Sequence, residues 1–448
     1  MLGIGGLTLP ELLRAENSLN YGSSQKAIIN IHMDGGPSQM DLIDPKPEAP
    51  SNQRSPFSSI RTQIPGFHVT ELMPKIASIA DDLIFIRSLV GSAARHDAFQ
   101  CQSGFALRDL QSIGGRPAMG SVVAKMLSSP GDDAPAFVDL LQGRGKVRNS
   151  ARSGFLGPVY SPFRPDISTL FPRELEQGMK GELSRLGVQG KGIEMGLTSG
   201  LTLGRLEDRA SLLQNLDSLK SELDRGSQQV QAMDEFSQQA MKILTSGKLA
   251  EAMDLEKEDP LTLAKYTPDL RFKELAAETA EGPLAARKLL LARRLIEAGV
   301  RVVSVSISDF DTHRNNNSRM AQLGPIFDHA LWALVTDLKD RGMLDDVTVV
   351  AWGEFGRTPK VNKNGGRDHL PSVAMGIMAG GGMNPGQVIG ATDRVAGECI
   401  ERPVHFQDVI ATLYHNLGID AGTTTITDPT GRPQFLVDQG EVIRELVG

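Results

Sequence analysis

Six short runs of the chain are apolar almost throughout: Ala27–Met33, Leu83–Ile86, Ala136–Leu140, Val302–Ile307, Val347–Trp352 and Val373–Ala379. Runs of this length, rich in Val and Ile and without alternation, are what strands covered on both faces look like. Strands of that kind oblige the rest of the chain to supply two layers of helix, which selects an α/β architecture. Ala285–Ala298 repeats Leu at helical spacing, and Gly299 is placed to end that helix before the run at Val302. Met320–Arg341 ends in the same way at Gly342, before Val347. Helix, glycine and strand, twice in succession, read as right-handed crossovers of a mainly parallel sheet. From about Glu174 to Ala280 the composition shifts to Leu, Gln, Lys, Asp and Glu, with opposite charges three or four residues apart. This stretch is expected to be a helical insertion over one end of the sheet.

Charge and cysteine usage narrow the function classes. Lys+Arg number 47 against Asp+Glu 54, a net charge of −7, and no basic stripe stands out, which argues against nucleic acid as a partner. Two cysteines, Cys101 and Cys399, exclude a disulfide scaffold. No apolar run approaches the roughly 18 to 20 residues that a transmembrane segment needs. Within residues 1–20, Met1–Ala15 is apolar and passes into the polar stretch Glu16–Gln25. It reads either as an export signal lacking its positive end or as a short surface helix. A single α/β domain is expected over residues 25–448.

The chemistry-bearing residues fall where strands are expected to end. Asp34-Gly-Gly-Pro-Ser38 follows the first run, Asp309-Phe-Asp311-Thr-His313 the fourth, and Gly353-Glu354-Phe-Gly-Arg357 the fifth. Asp368-His369 comes next and Pro403-Val-His405 later. Ligands of open α/β sheets bind at the carboxyl ends of strands, and Asp with His suits divalent ions such as Zn or Mn. Taken singly, each piece is also an ordinary turn or solvated loop. Their conjunction is what points to a metal site, since only eight histidines exist. Of the others, His32 and His68 receive no role, His329 reads as a packing or surface residue, and His415 as a core histidine. Phosphate-loop, nucleophile-elbow and His-Glu-x-x-His motifs are missing from the sequence.

The series DGGPSQMDLIDPKP, LLLARRLIEAGVRVVSVSI, DFDTH, WGEFGRTPKVN, GGRDHLP and RPVHFQDVIATLYHNLGID resembles domain-of-unknown-function family 1501. That family lies within the sulfatase-like part of the alkaline phosphatase superfamily. The resemblance implies an alkaline phosphatase-like three-layer α/β/α sandwich with two divalent metal ions (Zn, Mn, Ca or Mg) at the carboxyl edge of the sheet. By motif order it implies Asp34, Asp368 and His369 at one ion, and Asp311, His313 and His405 at the other. Glu354 and Arg357 would line the site, Glu354 as a ligand or supporting carboxylate and Arg357 as an anion clamp. His96, next to Asp97, is a weaker substrate-binding candidate that reads equally as a loop histidine. Members commonly carry a twin-arginine export signal, which implies a periplasmic or otherwise exported protein.

The chain also departs from the family pattern. Val90-Gly91 stands where members usually show Thr-His, so a hydroxyl at position 90 is missing. Ser88 and Ser92 are the nearby hydroxyls, and Ser92 is the candidate nucleophile. Asp309, four residues before His313, is an alternative ligand. Neither Cys101 nor Cys399 sits in the Cys-x-Pro-x-Arg context of a formylglycine sulfatase. The expected activity is hydrolysis of a small anionic phosphate or sulfate ester. The alternative is a non-catalytic protein of the same fold that holds a sulfated or phosphorylated glycan.

Overall fold

The structure, a computed structural model, describes residues 26–447 apart from 111–112, 130, 144–149, 169, 172–246, 269–280 and 283. All six apolar runs are strands: β1 (Ala27–Asp34), β2 (Leu83–Val90), β3 (Phe137–Leu140), β4 (Val302–Ser308), β5 (Val347–Trp352) and β6 (Ala374–Ala379). With β7 (Gln387–Ile389) they form one sheet in the order β7-β2-β6-β5-β1-β4-β3, and β8 (Val404–His405) pairs with the end of β2. β1 lies between β4 and β5 and is parallel to both. β6 alone runs against its neighbours β5 and β2. The chain returns from β5 to β6 without a crossover helix, and a parallel return needs one.

Helices cover both faces. α3 (Ala285–Glu297) and α4 (Asn316–Asp340) pack on Ile29, Ile31 and Met33 of β1. α1 (Phe99–Ser103), α2 (Met119–Leu127) and α5 (Phe406–Asn416) lie in the cluster with Ile28, Val350 and Trp352 on the other. Burying each such Ile, Met or Val stabilises the fold by about 1.5–3 kcal/mol. This is the three-layer sandwich with a mainly parallel sheet that the sequence led us to expect.

β1 and β4 hide an alternation that their apolar runs concealed. Asn30, His32 and Asp34 share one face of β1, and Ser304, Ser306 and Ser308 stand beside them on β4, all buried. A polar stripe therefore runs inside the molecule toward the carboxyl edge. The N-terminal residues 1–20 and most of the expected helical insertion lie outside the described residues. Within the insertion's range, Lys248–Met253 and Pro260–Lys265 are helices. Among the described residues no helix is long and apolar enough to cross a membrane. His415 is exposed on α5 rather than in the core, and His68 lies in a short strand, His68–Thr70.

Candidate metal centre

Three loops leaving β1, β4 and β5 converge at the carboxyl edge. Gly35 has φ +103°, and a Cβ there would fall 2.5 Å from the backbone nitrogen of Asp311. Only glycine lets the loop leaving β1 approach the loop leaving β4 so closely. Gly366 does the same for His313, whose backbone lies 2.0 Å from the place of a Cβ. A short antiparallel pair, Gly356–Arg357 with His369–Leu370, carries His369 back over the site.

The convergence produces two groups, in each of which the ligand atoms lie within 4.8 Å of one another. The outer group is His96, Asp311, His313 and His369; the inner is His32, Asp34 and Glu354. In the outer group His313 Nε2 and His369 Nε2 face each other at 3.0 Å. Asp311 Oδ1 lies 3.2 Å from the first and 3.7 Å from the second. The far ring nitrogens decide the tautomers. His313 Nδ1 is 2.8 Å from Asp368 Oδ1, and His369 Nδ1 is 3.2 Å from the carbonyl of Ala94. Both partners only accept, so each Nδ1 carries the proton and each Nε2 offers a lone pair. Two imidazole lone pairs and a carboxylate oxygen aimed into one space repel unless a cation lies between them. A carboxylate or carbonyl behind each histidine is also how proteins orient metal-binding imidazoles.

The inner group is almost wholly buried: His32 is 0 %, Glu354 1 % and Asp34 2 % exposed. His32 Nε2 lies 3.5 Å from Glu354 Oε2 and 3.8 Å from Asp34 Oδ1. Neither nitrogen of His32 nor Glu354 Oε2 has a hydrogen-bond partner. Leaving such atoms unpaired is costly, and a cation held between them would satisfy His32 Nε2 and Glu354 Oε2. The donor sets of both groups thus fit divalent ions, and the imidazole-rich outer group suits Zn or Mn better than Mg or Ca.

His96 joins the groups, with Nδ1 3.0 Å from Glu354 Oε1 and Nε2 3.2 Å from Asp311 Oδ2. Burial opposes its charge, but the two carboxylates outweigh that and raise its pKa to about 9. Burial likewise opposes ionisation of Asp311, yet the neighbouring His369, the hydrogen bond from His96 and the charges of His96 and Arg357 hold its carboxyl far below the usual range.

Several expected roles change. Arg357, expected as an anion clamp, is completely buried with its guanidinium engaged by protein groups. Its Nη2 reaches Asp311 Oδ1 at 2.8 Å and also donates to the Gly35 carbonyl; Nε donates to Gly36 O and Nη1 to Arg367 O, each at 2.9 Å. Arg357 positions the first loop and Asp311. Asp368 belongs to neither group; it stands behind His313, itself held by Asn362 Nδ2 at 3.1 Å. His369 groups with Asp311 and His313, whereas Asp34 pairs with His32 and Glu354. His405 joins neither group, and its backbone N–H donates to Asp408 at the start of α5. Asp309 is turned away to Arg319, 3.0 Å distant. Ser92 Oγ donates to the Glu354 carbonyl at 2.7 Å and accepts from Ala94 N–H at 3.1 Å, while Ser88 Oγ donates to Arg402 O. His32 was missed, although its place two residues before Asp34 puts both on one strand face.

Several solved structures share the outline of the chain at low identity. The PsFucS1 sulfatase from Pseudoalteromonas sp. is 11 % identical with a TM-score of 0.36, over 93 % of this chain and 73 % of that one. The phosphonate monoester hydrolase of Agrobacterium radiobacter is 14 % identical with a TM-score of 0.35, over 94 % and 77 %. The lipoteichoic acid synthase LtaP from Listeria monocytogenes is 11 % identical with a TM-score of 0.35, over 89 % and 73 %. No curated protein matches the sequence. Residues 25–447 match the family described as Protein of unknown function (DUF1501), and the chain belongs to that family.

Proposed function

We propose that the chain is an exported, metal-dependent hydrolase of small phosphate or sulfate esters, with one divalent ion at each of the two groups. The observation that carries this reading is the approach of the Nε2 atoms of His313 and His369 to 3.0 Å beside Asp311, with the far nitrogen of each ring turned to an acceptor. Divalent ions held there supply Lewis acidity toward the ester oxygens and charge for the transition state. The chain's own residues do the rest. Arg357 holds Asp311 in place, and Asp368 and the Ala94 carbonyl fix the two rings. His96, between Glu354 and Asp311, is the group placed to hold or move a proton. Ser92 spends its hydroxyl on backbone groups, which leaves water as the nucleophile. The exported setting rests on the apolar character of Met1–Ala15.

The same commitment of Ser92, with Val90-Gly91 before it, favours a second reading: a binding protein that keeps the ion groups and does not turn over. Elemental analysis of protein purified without a metal-affinity tag or chelator, then assay of p-nitrophenyl phosphate and sulfate, separates the two. About two equivalents of metal, with turnover lost in His369→Ala, supports the hydrolase. Metal without turnover of either ester supports the binding protein. No metal, and none taken up on titration, overturns both.

A further inference from the structure

A second cleft opens at the same edge of the sheet, behind the loop that carries Ser92 and His96. It has a volume of about 390 Å³, within the range of small-ligand pockets, and is lined by Gly91, Gln100, Arg108, His405, Gln407 and Gln439 among others. β8 brings His405 beside Val90 at the end of β2, so the cleft and the metal centre stand on opposite sides of one loop. Gln100 is the wall between them: its Oε1 accepts from Ala93 N–H at 3.0 Å and its Nε2 donates to Gly91 O at 2.8 Å. Three residues on, that loop supplies the Ala94 carbonyl that fixes His369.

The lining specifies a ligand class. Its charges are balanced locally, Asp438 by Arg116 at 2.9 Å and Arg108 by Asp109 at 3.8 Å, so the cleft offers no net charge to an anion. Gln407 spends its oxygen on the backbone N–H groups of Asp438 and Gln439, at 2.9 and 3.0 Å, which leaves its NH2 group to donate. Gln439 adds a further donor and acceptor; the His405 ring caps α5 by accepting from the Asp408 backbone N–H and offers its other nitrogen, while Val90 and Phe406 contribute a small apolar area. Neutral planar polar groups around a little apolar surface match a polyhydroxylated ring, which presents hydroxyl edges and a C–H face. A Cβ at position 91 would come within 3.3 Å of His405 Nδ1, so glycine there keeps the space beside that ring open.

We propose that this cleft is a subsite for a neutral sugar residue, and that the esters hydrolysed at the metal centre are sugar esters. The assignment rests on the hydrolase reading for the second half of that statement and stands without it for the first.

The test uses the full chain, free of metal, with methyl β-D-galactoside, methyl α-D-glucoside and sodium sulfate as probes in saturation-transfer NMR and calorimetry. Millimolar binding of a methyl glycoside, weakened at least tenfold in both Gln439→Leu and His405→Leu and unchanged in His369→Ala, is the expected result. Both substituted side chains are exposed; Gln439→Leu leaves the fold untouched, and His405→Leu costs the α5 cap, a loss that a thermal melt of each variant measures. Absence of glycoside binding overturns the proposal, as does binding that both variants leave intact. So does displacement of the glycoside by sulfate, which would make the cleft an anion site. Failure of the hydrolase reading shows separately, as absence of metal uptake or as metal uptake without turnover of p-nitrophenyl phosphate or sulfate, and leaves the glycoside measurement unaffected.

Discussion

Asp368 is the sharpest place to test how the site is built. The family pattern makes it a metal ligand, whereas the geometry puts it one layer out. Its Oδ1 lies 2.8 Å from His313 Nδ1 and 3.1 Å from Asn362 Nδ2, and its side chain is 56 % exposed. The hydrogen bond from His313 holds its carboxyl below the ordinary range. Its contribution is therefore to keep His313 in the tautomer that frees Nε2 and to raise the basicity of that nitrogen. In Asp368→Asn the amide oxygen still accepts from Nδ1–H, but the negative charge is gone. Loss of such an outer partner typically weakens metal binding about 10–100-fold, which is about 1.4–2.8 kcal/mol. His369→Ala removes a nitrogen of the outer group itself and should cost more than that. The assay is competition for Zn²⁺ against a chromophoric chelator at neutral pH, run for both variants. A thermal melt of metal-free Asp368→Asn should match the unaltered chain, because the side chain is exposed. Equal losses in the two variants would make Asp368 a direct ligand. No loss in Asp368→Asn would remove its role in setting the tautomer. Either result refutes the reasoning.

The remaining predictions address the residues around it. Arg357→Met leaves Gly35 O, Gly36 O, Arg367 O and Asp311 without their donor in a dry interior; urea unfolding should show a loss of about 3–5 kcal/mol. A stable variant with only a raised KM would restore the anion-clamp role. His32→Ala should lower the metal content by one equivalent while the outer group keeps its ion; unchanged stoichiometry would show that the inner group holds none. Away from the site, burial pushes Asp328 up to about 7, and burial with the nearby Lys75 charge pushes His329 down to about 4. The folded Asp328 keeps a proton that the unfolded chain sheds from about pH 4, so its contribution falls as pH rises toward 7. The folded His329 refuses a proton that the unfolded chain takes up below about 6.5, so its contribution rises over pH 4–6.5. The two oppose each other, and Asp328→Asn should unmask a stability that climbs with pH across 4–6.5 relative to the unaltered chain. A difference independent of pH in the melts would contradict the Asp328 shift.

Much of the scaffold was legible because its signals are local. An apolar run of four to eight residues, or Leu at helical spacing followed by Gly299, constrains its own few residues whatever surrounds them. Every one of the six runs is a strand, and both helix–glycine–strand units close as expected. Asp34, Asp311, His313 and Glu354 stand at or just past the carboxyl ends of β1, β4 and β5, where the same local reading put them, whereas His369 opens the short strand His369–Leu370 outside the main sheet. His32 could have been found from its spacing to Asp34, but an almost apolar run masks an alternation whose polar members are themselves buried.

Which residues meet was another matter. The direction of β6 depended on a return path without a crossover helix, and the two ion groups on how closely three loops approach. That approach is set by contacts such as Gly35 against Asp311 and Gly366 against His313, between residues hundreds or tens of positions apart. Nothing local distinguishes Arg357 as a buried brace from Arg357 as a clamp, or Asp368 as a ligand from Asp368 behind one. Composition and periodicity determined the strands, the helices and the edge where polar residues collect. Partner choice, burial and tautomer came from packing, because each is an energy shared between groups that the chain brings together only when folded.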